Sequence, residues 1–277
     1  MRDLSGITTV VFAGGGNRCF WQAGFYRTLA DEQGLAPQTL VAVSAGAAIA
    51  TALAAGRIEQ TLALTCEAME RNPRNQYWDQ LLDPKRRVFP HELIYRDLIH
   101  RVLADDAWEQ LSNGPEVSVA LARPPRWLGA HAGTLAGLLA YQGEKWLSQP
   151  VHPGAGRRLG FRREFVSHRR CSSPSELADL IIASSCTPPF TRLARWQGRP
   201  ALDGGLVDNV PCDGIPTGGG PTLVLLSRPY PHLPEFPGRI YAQPSQRPPV
   251  GSWDYTSPAS VRAAYALGQA DAAGFQS

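Results

Sequence analysis

One serine, a run of three glycines and one aspartate stand in settings suited to acyl transfer. Ser44 lies in "AVSAG", between the apolar, β-branched run "TLVAV" and an alanine-rich stretch. In a nucleophile elbow the serine sits on a strained strand-to-helix turn, so its neighbours two before and two after must be small. Ala42 and Gly46 meet that need, with alanine where the usual GxSxG form has glycine. A hydroxyl attacking a carbonyl also needs donors for the oxyanion that develops. Gly14, Gly15 and Gly16 follow the strand-like "TTVVFA" and precede a helical stretch, so they offer backbone N–H groups to that charge at a helix N-terminus. The N–H of Ala45, one residue past the serine, belongs to the same set.

The hydroxyl further needs a base. Asp203 stands in "LDGG", where Gly204 and Gly205 let a tight backbone force the side chain outward. Asp208, in "VDN", is a competing base without a glycine pair. None of the six histidines, His91, His100, His131, His152, His168 and His232, has such a setting; they lie in helix-like or proline-flanked stretches. A Ser-Asp pair is therefore indicated over a Ser-His-Asp triad. The phosphate-binding uses of a glycine loop fit less well: a P-loop ends in Gly-Lys-Ser/Thr, absent here, and a dinucleotide fingerprint has glycine where Cys19 stands. Arg18 is expected to be structural, holding the loop through a carboxylate or a carbonyl, and Cys19 to be a small buried hydrophobe. Taken singly, Ser44 is a small turn residue and Asp203-Gly204 a common turn dipeptide. It is their combination that points to chemistry.

The elements that must position these groups alternate between strand and helix. A strand over residues 10–13, the glycine turn and a helix are followed by a strand over 39–43, a sharp turn at Ser44 and a helix stopped by Gly56. Two such units in tandem imply an α/β fold. Residues 59–112 read as mainly helical, 116–122 as a strand, and "SSPSELADLIIASSC" as a helix with Ser173 as N-cap, Pro174 in the first helical position and Glu176 completing a capping box. "WQGRPALDGG" reads as a hairpin turning at Gly198, and 221–227 as a buried strand. Proline-rich residues 228–256 read as extended connection, ahead of a last helix over 257–273.

With 277 residues the expectation is one domain with a core over about 8–227. A net charge of +3 does not suit a dedicated nucleic-acid binder. The five cysteines are widely spaced, with no CxxC and no Cys/His cluster, which argues for reduced thiols and against a structural metal site. No signal peptide or membrane span is recognisable, so a cytoplasmic protein, peripheral to a membrane at most, is expected. Residues 124–172 hold an uncharged run, Trp127 to Tyr141, with Gly129, Gly133 and Gly137 spaced by four. It reads as a buried helix covering the sheet or as a lid or membrane-facing insertion. Six arginines, Arg157, Arg158, Arg162, Arg163, Arg169 and Arg170, follow with a single acid, Glu164. The default for such a run is a solvated loop; together with the apolar segment before it, 127–170 is a candidate for transient contact with an anionic membrane surface.

The chain resembles the patatin-like phospholipases, through Gly14-Gly15-Gly16 with Arg18, Ala42-x-Ser44-x-Gly46, "ASSCTPPF" at 183–190 and Asp203-Gly204-Gly205, in the family's order from about residue 8 to 210. The resemblance implies a patatin-type three-layer α/β/α fold with a mainly parallel central sheet. It implies a lipid or acyl-ester substrate, hydrolysed without metal or organic cofactor, with Ser44 as nucleophile, Asp203 as base and the glycine loop as oxyanion hole. Ala42, and Cys19 where many members have glycine, depart from the family pattern. An inactive lipid-binding or regulatory member of the same fold is the alternative.

Overall fold

The computed structural model describes residues 4, 6–81, 87–104, 106–125, 151–152, 154–188 and 191–275. The run Trp127–Tyr141, Pro189 and Phe190 lie outside the described residues. The strands are β1 (Thr9–Phe12), β2 (Thr39–Val43), β3 (Glu116–Arg123), β4 (Arg162–Ser167), β5 (Ala194–Trp196), β6 (Arg199–Asp203), β7 (Thr222–Leu225) and β8 (Arg239–Ala242). The principal helices are α1 (Phe20–Gln33), α2 (Ala45–Ala54), α3 (Ile58–Glu70), α4 (His91–Val102), α5 (Ala107–Asn113), α6 (Pro174–Ser184) and α7 (Pro258–Phe275).

The sheet runs β5-β6-β3-β2-β1-β7-β8, with β4 paired to β3 off that path. β3, β2, β1, β7 and β8 are mutually parallel, while β4 and β6 run antiparallel to β3 and β5 antiparallel to β6. The central strands "TVVF" and "TLVL" are buried at every position, as a parallel sheet covered on both faces requires. On one face Val10, Phe12, Leu40 and Leu225 pack into the helices. The other face, with Val11, Val41 and Val224, is covered by Val151, Val210, Cys212 and Tyr230 among the described residues. α1 and α7 pack backbone to backbone at two glycines: a Cβ on Gly24 would stand 2.1 Å from the Tyr265 carbonyl oxygen, and one on Gly268 2.1 Å from that of Trp21.

One piece of register decides where chemistry can occur. β2 accompanies β3 as far as Val43, paired with Ala120, and then leaves the sheet at Ser44. The next β3 residue, Leu121, pairs with Glu164 of β4 on one edge and with Asp203 of β6 on the other. β6 thus takes the edge that β2 vacates, and its terminal aspartate arrives where Ser44 turns away.

Three expectations need correction. Residues 228–256 are not connection throughout, because "RIYA" forms β8 in parallel with β7. The arginine cluster is not one solvated loop: β4 occupies Arg162–Ser167, and the Arg163 side chain is 5% exposed, between Asp208 at 3.3 Å and Asp213 at 3.2 Å. Arg157, Arg158, Arg162, Arg169 and Arg170 are exposed. The capping box is displaced: Ser173 Oγ accepts from the Glu176 N–H at 3.2 Å, but the Glu176 carboxylate reaches Ser172 N–H at 2.7 Å instead of its own cap. The β5–β6 hairpin turns as expected, with positive φ at Gln197 and Gly198. Among the described residues no helix is long and apolar enough to cross a membrane.

Candidate active site

Ser44 has φ 56° and ψ −136°, a backbone conformation costly for any residue with a Cβ. Its surroundings hold it there. The Ser44 N–H donates to Ser184 Oγ at 2.8 Å, and Ser184 Oγ donates in turn to the Ala120 carbonyl at 2.7 Å, so a side chain of α6 occupies the ladder position that β2 gives up. Gly46 has to be glycine, since a Cβ would lie 2.6 Å from the Ala13 carbonyl oxygen at the end of β1. Ala42 is wholly buried in β2, and its methyl is accommodated.

Asp203 ends β6 beside that turn. Its Oδ1 accepts from the Gly205 N–H at 2.7 Å, the Thr187 hydroxyl donates to its Oδ2 at 3.5 Å, and the Ser44 hydroxyl stands close enough to favour the ionised carboxylate. Burial pushes the carboxyl up to about 6, against the downward pull of those three donors. Gly204 is pressed against β3, where a Cβ would meet the Ala120 carbonyl oxygen at 2.7 Å. Asp208 is engaged elsewhere: its side chain is 3% exposed, 2.9 Å from His152 Nδ1 and 3.3 Å from Arg163. Of the two candidate bases, only Asp203 meets Ser44.

The glycine loop is fixed by its carbonyls. The Ala13 oxygen accepts from Gln22 Nε2 at 2.9 Å and Cys19 Sγ at 3.5 Å, the Gly14 oxygen from Asn209 Nδ2 at 2.6 Å and Ser227 Oγ at 2.7 Å, and the Gly15 oxygen from Arg18 Nε at 3.2 Å. Arg18 therefore holds the loop through a carbonyl. Burial pushes the Cys19 thiol up to about 12, which keeps it a neutral donor. Gly14 must be removed from the set of oxyanion donors, because its N–H is already given to the Asn209 carbonyl at 3.0 Å. Gly15, Gly16 and Ala45 are left, and all three line the cleft that contains Ser44 and Asp203.

The cleft opens to solvent and has a mixed polar and apolar lining. Beyond the expected residues it is walled by His91 and Tyr95 of α4, Thr187, Asn209, Trp253 and Tyr255. Asn209 was legible to a degree, as an amide closely following the Asp203 glycine pair; Tyr95, Trp253 and Tyr255 carry no local signal and arrive by tertiary packing. Among the described residues no cluster of histidine, cysteine and carboxylate could hold a metal ion.

Gly16 is the loop's least replaceable member, with φ +59° and room for a Cβ only 2.0 Å from the Ser252 carbonyl oxygen. Gly16→Ala is expected to lower the melting temperature, through strain of more than about 1 kcal/mol, and to cost about 100-fold in kcat by displacing the Gly16 N–H, on the scale of losing one oxyanion donor. An Ala variant with wild-type kcat would take Gly16 out of the site.

A family model described as patatin-like phospholipase matches residues 10–215, from β1 to just past the Asp203 loop. Among solved structures, VipD from Legionella pneumophila aligns over 97% of this chain and 66% of its own, at 12% sequence identity and a TM-score of 0.49, so the present chain spans just under two thirds of that one. No curated protein matches the chain.

Proposed function

The chain belongs to the patatin-like phospholipase family, and on that premise we propose that it is a serine hydrolase of fatty-acyl esters in lipids, of phospholipase A or lysophospholipase type. Ser44 Oγ attacks the ester carbonyl carbon while its proton passes to Asp203. Negative charge gathers on the carbonyl oxygen, opposite the amides of Gly15, Gly16 and Ala45 at two helix N-termini. Collapse of the tetrahedral intermediate breaks the bond to the leaving oxygen, which takes the proton from Asp203 and leaves an acyl group on the serine. Water then gives its proton to Asp203 and attacks the acyl carbon, and Ser44 recovers the proton as the fatty acid departs. No cofactor enters either half. The exposed Arg158, Arg162, Arg169 and Arg170, and Arg157 beside Asp213, add positive charge toward which an anionic lipid surface is drawn.

The observation that carries this reading is the placing of the half-buried Asp203 carboxylate beside Ser44, itself held at a strained strand-helix turn. A base raised to about 6 is ionised at neutral pH yet closer to proton-transfer balance than an ordinary aspartate. The test is covalent. A fluorophosphonate is expected to add one phosphonyl group to the intact protein, mapped to Ser44, at a rate that rises as pH climbs through about 6. Label on another residue, or none, would sink the proposal.

A further inference from the structure

Beside the cleft lies a second, mostly apolar cavity, and Gly16, Ala45, Tyr95 and Tyr255 border both. The two spaces therefore meet at the elbow, next to Ser44. Their characters differ. The second is lined by aliphatic and aromatic side chains, threonines and Asn17, whose amide donates to the Asp254 carbonyl, with no charged residue among the described ones. The hydroxyls of Thr61 and Thr65 donate within α3, to the carbonyls of Arg57 at 2.8 Å and Thr61 at 2.7 Å, and so require nothing from an occupant, whereas the buried Thr51 hydroxyl at the far end has no hydrogen-bond partner among the described residues.

The lining leads away from the serine along two helices. α2 supplies Ala45 at the mouth, then Ala48, then Thr51; the rise from first to last is about 9 Å. α4 supplies Tyr95 at the mouth and Val102 one to two turns farther on. Tyr95 is fixed by a hydrogen bond between its hydroxyl and Ser185 Oγ at 3.1 Å. The space exists because α2 carries alanine at 45 and 48, both half-buried, where larger side chains would have closed it. An apolar recess of this kind takes an apolar guest.

We infer that this cavity is an acyl pocket admitting one unbranched chain of medium length, octanoyl to dodecanoyl, with the ester carbonyl at Ser44 and the chain end against Thr51 and Val102. The inference rests on the hydrolase reading for its substrate and on the cavity alone for its ligand, so the two can be tested apart.

The experiment pairs hydrolysis of p-nitrophenyl esters from acetyl to palmitoyl with calorimetric titration of decanoate into the full chain. Wild type is expected to peak in kcat/KM between octanoyl and dodecanoyl. Ala48→Trp is expected to lower the decanoyl-to-acetyl ratio of kcat/KM at least tenfold, and decanoate affinity by a similar factor, as obstruction of several methylene positions demands. Val102→Ala, which opens the far end, shifts the optimum to longer chains. A folded Ala48→Trp protein with unchanged ratio and affinity overturns the inference; if that variant does not fold, an unmoved optimum in Val102→Ala does so. Decanoate binding lost in Ala48→Trp, in a protein that hydrolyses no ester, leaves the pocket standing and removes the hydrolase. Serine-dependent hydrolysis indifferent to chain length does the reverse.

Discussion

Ser44→Ala is expected to lower kcat for a short chromogenic ester by about six orders of magnitude, the scale on which a nucleophile acting with its base is lost. Binding should change little, because the hydroxyl is one polar group among many that line the cleft. The effect should also be non-additive, with the Ser44→Ala/Asp203→Asn double variant no slower than Ser44→Ala alone. Stability separates chemistry from architecture here. Alanine keeps the Cβ that makes φ 56° costly, whereas Ser44→Gly relieves it, so the glycine variant should be the more stable of the two by about 1 kcal/mol or more. Ester hydrolysis retained by Ser44→Ala would end the case for this nucleophile.

Asp203→Asn is expected to lower kcat about 10,000-fold, since the amide preserves the shape of the site and cannot take the Ser44 proton. The same substitution should leave the fold intact and even strengthen it at neutral pH. A carboxyl whose folded value is about 6 against 3.8 in the open chain holds its proton more tightly when folded. Its contribution to stability is therefore complete below about pH 4 and lost as pH rises through about 6, a fall of up to about 3 kcal/mol. Asparagine has no such term. The melting temperature of Asp203→Asn relative to wild type should accordingly rise between pH 4 and 7; a parallel pH dependence in the two proteins would mean that the aspartate is not raised.

Much of this arrangement was legible in local sequence, because turns with a single steric solution leave marks. Gly46 against the Ala13 carbonyl and Gly204 against that of Ala120 are positions where no other residue fits, and the tandem strand-turn-helix units around Gly14–Gly16 and Ser44 follow from them. The hairpin at Gly198 was equally plain. What escaped was set by partners distant in the chain. "RIYA" among prolines becomes β8 only because β7 offers a free edge. Arg163 looked like one of six surface cations until Asp208 and Asp213 closed on it. The availability of an amide was also invisible: Gly14, Gly15 and Gly16 are identical letters, and only Asn209, 195 residues away at its own hydrogen bond to Gly14, decides that the first of them is occupied.

The register at Leu121, where β6 replaces β2, has a consequence for the life of the chain during synthesis. Ser44 and Asp203, the proposed nucleophile and base, lie more than half the sequence apart, and Gly14 is held from Ser227, 213 residues downstream. Nothing assembled from the first two strand-turn-helix units alone can hydrolyse an ester, and the non-local pairing that completes the sheet is the slow kind. On the proposed reading, a nascent or truncated chain has no esterase activity. Recovery of esterase activity after dilution from denaturant would time the closing of the sheet itself.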